Sequence, residues 1–151
     1  MTKGEKRLLR PAWFLVTVAI MVALHVFLPG YRWLAWQWKA IGALSILAGL
    51  LVVIVADKQF KHHGTTIKPF QTSSALVTDG VFRYSRNPMY LGMVLVLIGI
   101  AICLGSVTPL ILLPVFAWLI TGRFIQTEEK ALQDQFGQHY VDYQASVRRW
   151  R

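Results

Sequence analysis

The sequence predicts an all-α integral membrane protein with four transmembrane helices, and three observations carry that reading. Of 151 residues, 55% are hydrophobic and 15% charged, with a mean hydropathy of +0.47. A water-soluble globule of this length cannot bury so much apolar side chain and still cover itself with polar groups. The apolar residues fall into four blocks, at residues 11–28, 34–56, 88–104 and 107–120. The basic residues are distributed unevenly between those blocks, which orients them. A single domain, residues 1–151, accommodates the whole pattern.

The first block follows a basic leader, MTKGEKRLLR, and stops at the turn pair Pro29-Gly30. It is as long as a spanning helix and lacks a clear small-x-small cleavage site, so it is expected to remain as a mature helix. The second block starts among Tyr31, Trp33, Trp36 and Trp38, an interfacial aromatic belt, and ends at Asp57-Lys58. Residues 65–80 mix Gly, Thr, Ser and Pro without a period and read mostly as loop. The third block opens at Pro88, Gly105-Ser106 turn the chain, and the fourth follows from Val107. Both are short for independent spans, so they read as a tight hairpin whose last helix continues past the membrane into residues 123–136. In the tail, Phe136, Tyr140, Tyr143 and Val147 recur at spacings of four, three and four. That is an amphipathic C-terminal helix, and the Arg148, Arg149, Trp150, Arg151 ending suits a headgroup surface.

Lys3, Lys6, Arg7 and Arg10 precede the first block, and Lys58, Lys61, Lys68, Arg83 and Arg86 lie between the second and third. Residues 105–107 carry no basic residue, and the remaining short loop has Arg32 and Lys39. This asymmetry puts both termini and the central loop on the cytoplasmic side of a bacterial-type inner membrane or its equivalent. The formal net charge of +9 then faces anionic membrane lipids and not nucleic acid. The single Cys103 cannot form an intrachain disulfide, and His62, His63 and His139 lack metal-ligand spacing, so no metal site is expected. His25, inside the first block, is expected to have a structural or interhelical hydrogen-bonding role. Gly42 and Gly49, and Gly92 and Gly99, are spaced for close helix packing and are compatible with a homodimer face. No Asp or Glu occurs in residues 11–56 or 88–120, which counts against a proton-coupled transporter.

Two polar stretches carry the candidate chemistry. In YSRNPMYLG, residues 84–92, Asn87 is a good N-cap and Pro88 suits the first helical position. The unbonded N–H groups of that first turn attract an anion such as a carboxylate. Arg86 and Arg83 add full charges, while Tyr84 and Tyr90 add rings and hydroxyls. In RFIQTEEKALQDQFGQHYVDY, Glu128 and Glu129 stand close to the same membrane face. Adjacent helical residues point about a quarter turn apart, so one carboxylate faces a pocket while the other meets solvent or a base such as Arg123. An anion-binding helix mouth beside an acidic helix suits a zwitterionic ligand. The plainer alternative is a capped interfacial helix and a solvated acidic face, as in a non-catalytic membrane adaptor or lipid-binding protein.

Residues 76–92, L-V-T-D-G-V-F-R-Y-S-R-N-P-M-Y-L-G, are followed after the hairpin by E-E-K-A-L-x-x-x-F-G-x-x-Y-x-x-Y. Together they resemble the isoprenylcysteine carboxyl methyltransferase and phospholipid methyltransferase superfamily, small integral-membrane enzymes that use S-adenosyl-L-methionine. The resemblance implies methyl transfer, with the cofactor at the cytoplasmic face, to a lipophilic acceptor dissolved in the membrane: an isoprenoid carboxylate, a phospholipid amine or a small thiol. By position it implies that Arg86, Asn87, Pro88, Met89 and Tyr90 contact the cofactor. It implies also that Ser74, Ala75, Leu76, Val77 and Phe82 line its site, that Glu128 touches it, and that Arg123 meets the substrate. Glu129 is then the candidate proton acceptor for an amine or thiol. Asn87 stands where the family commonly has histidine, Phe82 where it often has tyrosine, and Arg123 is one residue out of register. The tail lacks the family's frequent proline-bearing segment.

Overall fold

A computed structural model of the protein describes residues 3–32, 36–62 and 76–150, with side chains from residue 11 onward. Trp33, His63, Lys68, Ser74, Ala75 and Arg151, and most of the loop at 65–80, lie outside the described residues. The chain builds α1 (Lys3–Phe27), α2 (Trp36–His62), α3 (Pro88–Leu104), α4 (Leu112–Ile120), α5 (Gln126–Phe136) and α6 (Gln138–Ser146). Short 3-10 turns occupy Gly80–Arg83 and Thr108–Ile111, and no strand occurs among the described residues.

Four glycines fix how the apolar helices meet. Gly99 of α3 lies against Gly42 of α2, and Gly92 against Gly49. A Cβ added at Gly99 would sit 2.5 Å from the Gly42 carbonyl oxygen, and one at Gly49 would sit 2.6 Å from that of Gly92. The two backbones therefore approach as closely as small residues permit, the usual way apolar helices gain contact in lipid. Across the same seam the Ser45 hydroxyl donates to the Leu95 carbonyl at 2.8 Å. The Cys103 thiol faces the Lys39 carbonyl at 3.6 Å, as a packing residue. The close contact expected of these four glycines is thus made within the chain, between α2 and α3.

The other side of α3 carries the main core. Met21 of α1, Leu97 and Ala101 of α3, Phe116 and Ile120 of α4, Ile125 and Tyr90 are buried together. Phe14 meets Phe116 edge-on, with ring centroids 6.3 Å apart. The outward sides are apolar too: Leu15, Val26, Leu44, Leu47, Leu51, Val115 and Trp118 are all exposed. Lipid can cover such a surface and water cannot. Trp36–His62 and the continuous run Thr108–Phe136 are long and apolar enough to cross a membrane, whereas Pro11–Phe27 and Pro88–Leu104 are apolar but shorter. The protein is thus a membrane-embedded helical bundle.

The run Thr108–Phe136 shows the last helix continuing beyond its apolar part, as its sequence predicts. Between α4 and α5 it loosens into a π-helical segment, Thr121–Ile125. The Thr121 hydroxyl bonds back to the Ala117 carbonyl at 2.7 Å within this stretch. Such wide turns inside α-helices are frequent near functional sites.

The two ends of the bundle differ in chemistry. At one end, Gly105 closes α3 with φ 71°, a left-handed conformation that suits glycine. The adjacent Ser106 hydroxyl lies 2.8 Å from His25 Nδ1, so that histidine ties α1 to the loop after α3 and not to another helix. Val107 N–H donates to the Tyr31 carbonyl, joining the two short loops. At the opposite end gather the end of α2, the 3-10 turn, the start of α3, α5 and α6. Here the tail departs from the sequence reading. α5 stops at Gly137, whose φ of 53° breaks the helix, so Phe136 and Tyr140 belong to different helices. Tyr140, Tyr143 and Val147 bury against Leu76, Leu132 and Phe136. Trp150, partly buried, packs on the main core. The apolar spacing predicted by the sequence is real, but it is satisfied inside the chain and not by lipid.

Candidate functional site

The mouth of α3 is built by the stretch that precedes it. Phe82 is buried under Ala56 and Phe60, the two rings meeting edge-on with centroids 4.8 Å apart. Its carbonyl accepts the Tyr143 hydroxyl at 2.5 Å. Gln59 Oε1 accepts Val81 N–H at 3.2 Å, tying the 3-10 turn to α2. The chain then passes Ser85, whose buried hydroxyl accepts Asn87 N–H at 3.2 Å and donates to the Arg149 carbonyl at 3.0 Å. Arg86 N–H donates to the Arg148 carbonyl at 3.1 Å. The tail therefore clasps the helix mouth through backbone groups at both Arg148 and Arg149.

Pro88 occupies the first turn of α3 and is fully buried. Asn87 holds the N-cap position, but with φ −130° and ψ 59° its side chain makes no capping bond. Pro88 brings no N–H to this first turn. The Asn87 Nδ2 atom is instead buried without a protein partner, as is the Nε of Arg86. A buried donor left unbonded costs about 1–3 kcal/mol, so acceptor atoms supplied by water or a ligand would relieve both.

The two glutamates part company. Tyr90, buried at the start of α3, points its hydroxyl at both oxygens of Glu128, each 3.3 Å away. Glu129 is turned inward and buried. Arg149 grips it with two bonds, Nε to Oε1 at 3.0 Å and Nη2 to Oε2 at 2.6 Å. Arg86 Nη1 lies 3.3 Å from the same Oε1. The bond to Glu129 holds the Arg149 guanidinium above its usual range. Burial, reinforced by the negative charge of Glu129, raises Tyr140. Burial also raises Tyr143, so both phenols stay neutral.

Several predicted site residues meet here and others do not. Arg86, Asn87, Pro88, Tyr90 and Glu128 surround the mouth of α3. Val77, Phe82 and Met89 form the packed support between the mouth and α2, while Leu76 joins the tail cluster. Arg123 is exposed in the π-helical segment and makes no ion pair with Glu129. Glu129 itself does not present an open carboxylate, because the Arg149 and Arg86 guanidiniums take up its oxygens. Sequence reading missed Ser85, Tyr143 and Arg149. Ser85 had a signal, a hydroxyl residue placed two before a helix-capping position. Tyr143 and Arg149 had none, since their partners are 61 and 20 residues away.

An open cleft of about 280 Å³ lies outside the clasp, lined by Arg83, Tyr84, Ser146, Val147 and Arg148.

An all-α membrane bundle with a charged, ligand-suited mouth at one end is the class that the fold and site define. The chain belongs to the phospholipid methyltransferase family, whose model matches residues 38–139. Among curated relatives it is similar to the protein-S-isoprenylcysteine O-methyltransferase of Schizosaccharomyces pombe, at 33% identity over 62% of this chain and 35% of that protein. It is similar also to protein-S-isoprenylcysteine O-methyltransferase B of Arabidopsis thaliana, at 28% identity over 88% of this chain and 68% of that one. The chain therefore spans only part of these relatives. Its fold is similar to that of the eukaryotic intramembrane Ras methyltransferase ICMT (isoprenylcysteine carboxyl methyltransferase), with a TM-score of 0.68 and 22% identity. That likeness covers 100% of this chain and 53% of the other.

Proposed function

We propose that this protein is an S-adenosylmethionine-dependent methyltransferase that acts on a lipophilic acceptor dissolved in the membrane. The observation that carries the reading is the mouth of α3, where buried, unpartnered donors of Arg86 and Asn87 stand beside the Tyr90–Glu128 pair. A ligand bearing a carboxylate and an ammonium matches this arrangement. Arg86, Asn87 and the first turn of α3 would hold the carboxylate of the cofactor, and Glu128, oriented by Tyr90, its ammonium. The bound cofactor would supply a methyl group on a sulfonium, a leaving group that needs no protein acid. The protein's own share is to orient the acceptor and exclude water, and orientation alone can contribute roughly 7–11 kcal/mol to lowering a bimolecular barrier.

The names of the relatives favour a prenylcysteine carboxylate as acceptor, and the engaged state of Glu129 agrees with that choice. A carboxylate brings its own nucleophilic oxygen, whereas an amine or thiol must lose a proton to a base. Exposed Arg123, on the helix facing the membrane border, is the residue we assign to the acceptor's carboxylate. Four spans with both termini and the site in the cytoplasm follow from the positive-inside distribution of Lys and Arg.

Calorimetry on detergent-purified protein tests the reading. Saturable S-adenosylmethionine binding, weakened by both Glu128→Ala and Tyr90→Ala, is the expected result. Absence of binding to folded protein would sink it. A second reading, a non-catalytic lipid-binding membrane protein, has one observation in its favour: the open cleft carries Arg83 and Arg148 beside exposed Tyr84, groups that suit an anionic headgroup. In that case Arg83→Gln with Arg148→Gln would alter lipid binding while the mouth of α3 tolerated substitution.

A further inference from the structure

We propose that Arg149 is a positioning residue that sets the charge of the helix mouth: by taking up Glu129, it leaves Arg86 with an uncompensated positive charge for the carboxylate of the ligand. This inference rests on the cofactor site proposed above.

Three charged side chains meet behind the mouth, two guanidiniums and one carboxylate. Their sharing is unequal. Arg149 takes both Glu129 oxygens in a two-bond fork, at 3.0 and 2.6 Å. Arg86 has a single longer approach, 3.3 Å from Nη1 to an oxygen already bonded to Arg149. Its Nε is buried and bonded to nothing among the described residues. Side-chain exposure is 10% for Glu129 and 12% for Arg86, so water screens these charges poorly. Tyr140, the phenol packed against the group, is neutral and does not alter the sum. Within this trio one positive charge is left over, and it lies on Arg86 at the mouth of α3, across which the separate Glu128 carboxylate is held at Tyr90.

Without the Arg149 guanidinium, Glu129 would be free to turn its full carboxylate on Arg86. A two-bond arginine–carboxylate pair is the strongest arrangement open to that side chain, and it would cancel the charge a ligand's carboxylate needs. The fork is not what anchors the tail. Residues 143–150 are tied down independently by the Arg86 N–H to Arg148 carbonyl bond, the Ser85 hydroxyl to Arg149 carbonyl bond, the Tyr143 hydroxyl to Phe82 carbonyl bond, and the packing of partly buried Trp150 on the main core. Charge setting and anchoring are therefore separable by mutation.

The test is calorimetric titration of the full chain in detergent with S-adenosylmethionine and with its decarboxylated counterpart, which differ in the carboxylate alone. Wild type should prefer the carboxylated form by roughly ten- to a hundred-fold, the range for a hydrogen bond to a charged group. Arg149→Gln should bring that preference close to parity. Arg149→Lys, which keeps the charge but not the fork, should retain most of it. The double variant Arg149→Gln/Glu129→Gln should restore it, because Arg86 is again unopposed. Restoration is the decisive result, since a tail that merely needs bracing would be worse off with both charges gone. An unchanged preference in Arg149→Gln, an equal loss of affinity for both ligands, or a double variant no better than the single would each overturn the inference while leaving the site intact. If wild type binds neither ligand, the cofactor reading itself fails and this inference falls with it.

Discussion

The adjacent Glu128 and Glu129 should respond in opposite ways to the same conservative change. Glu129→Gln keeps the shape and one acceptor oxygen but removes the carboxylate shared by Arg149 and Arg86. Removing one partner of a buried ion pair costs about 3–5 kcal/mol. Arg149, with 33% of its side chain exposed, can recover some hydration, but Arg86 at 12% cannot. The low end, about 3 kcal/mol, is therefore expected. Glu128→Gln keeps an oxygen to accept the Tyr90 hydroxyl, whose two contacts with the carboxylate are long at 3.3 Å. Its cost should stay within about 1 kcal/mol, the scale of one ordinary net hydrogen bond. The gap of about 2 kcal/mol is roughly a thirty-fold difference in the ratio of folded to unfolded protein. Unfolding in detergent, followed by tryptophan fluorescence, reads that gap. Calorimetry with S-adenosylmethionine should rank the variants the other way, with Glu128→Gln weakened by roughly ten- to a hundred-fold and folded Glu129→Gln retaining affinity. Equal destabilisation by both changes, or loss of ligand binding in Glu129→Gln alone, would refute the division of labour drawn from these distances.

At the glycine seam, Gly49→Ala and Gly99→Ala should each destabilise the protein by about 1–3 kcal/mol through overpacking, because each new Cβ meets a facing backbone oxygen. Gly122→Ala, where nothing lies within 4 Å, should change stability by less than about 0.5 kcal/mol in the same unfolding assay. Tyr143→Phe strands the buried Phe82 carbonyl and should cost about 1–3 kcal/mol, with faster amide exchange across residues 80–87. The phenols also give a pH dependence. Tyr140 and Tyr143 are both raised by burial, so their contribution is complete below about pH 10, where an unfolded phenol starts to ionise, and is lost as the pH climbs toward the folded values. Unfolding measured between pH 8 and 11 (about the range a phenol spans) should show stability falling with pH, and a shallower fall in Tyr143→Phe. Exposed Arg123→Gln should leave stability and cofactor affinity unchanged while raising KM for a prenylcysteine acceptor; an unaltered KM would remove Arg123 from the acceptor site.

Composition alone determined that this chain belongs in a membrane, and local pattern determined most of its elements. The apolar blocks became α1 to α4, Pro88 began α3, Gly105 ended it, and the last helix ran on to Phe136. These are short-range matters: a backbone in lipid must bond to itself, and helix ends are set by the few residues beside them. The same locality brought Arg86, Asn87, Pro88 and Tyr90 to notice, since they are neighbours in the sequence. What the chain could not disclose by itself was who meets whom. The glycine spacing announced a close contact without saying that α2 and α3 would satisfy it within one molecule. The four-three-four spacing of the tail survived a break at Gly137, because burial against Leu76 and Leu132 requires an apolar face and not an unbroken helix. Helix geometry already separated Glu128 from Glu129, but only the fold supplied Tyr90 as the partner of one and Arg149 as the partner of the other. A charge acquires its role from the partner that desolvates and opposes it, and that partner is chosen by the packing of segments far apart in the chain.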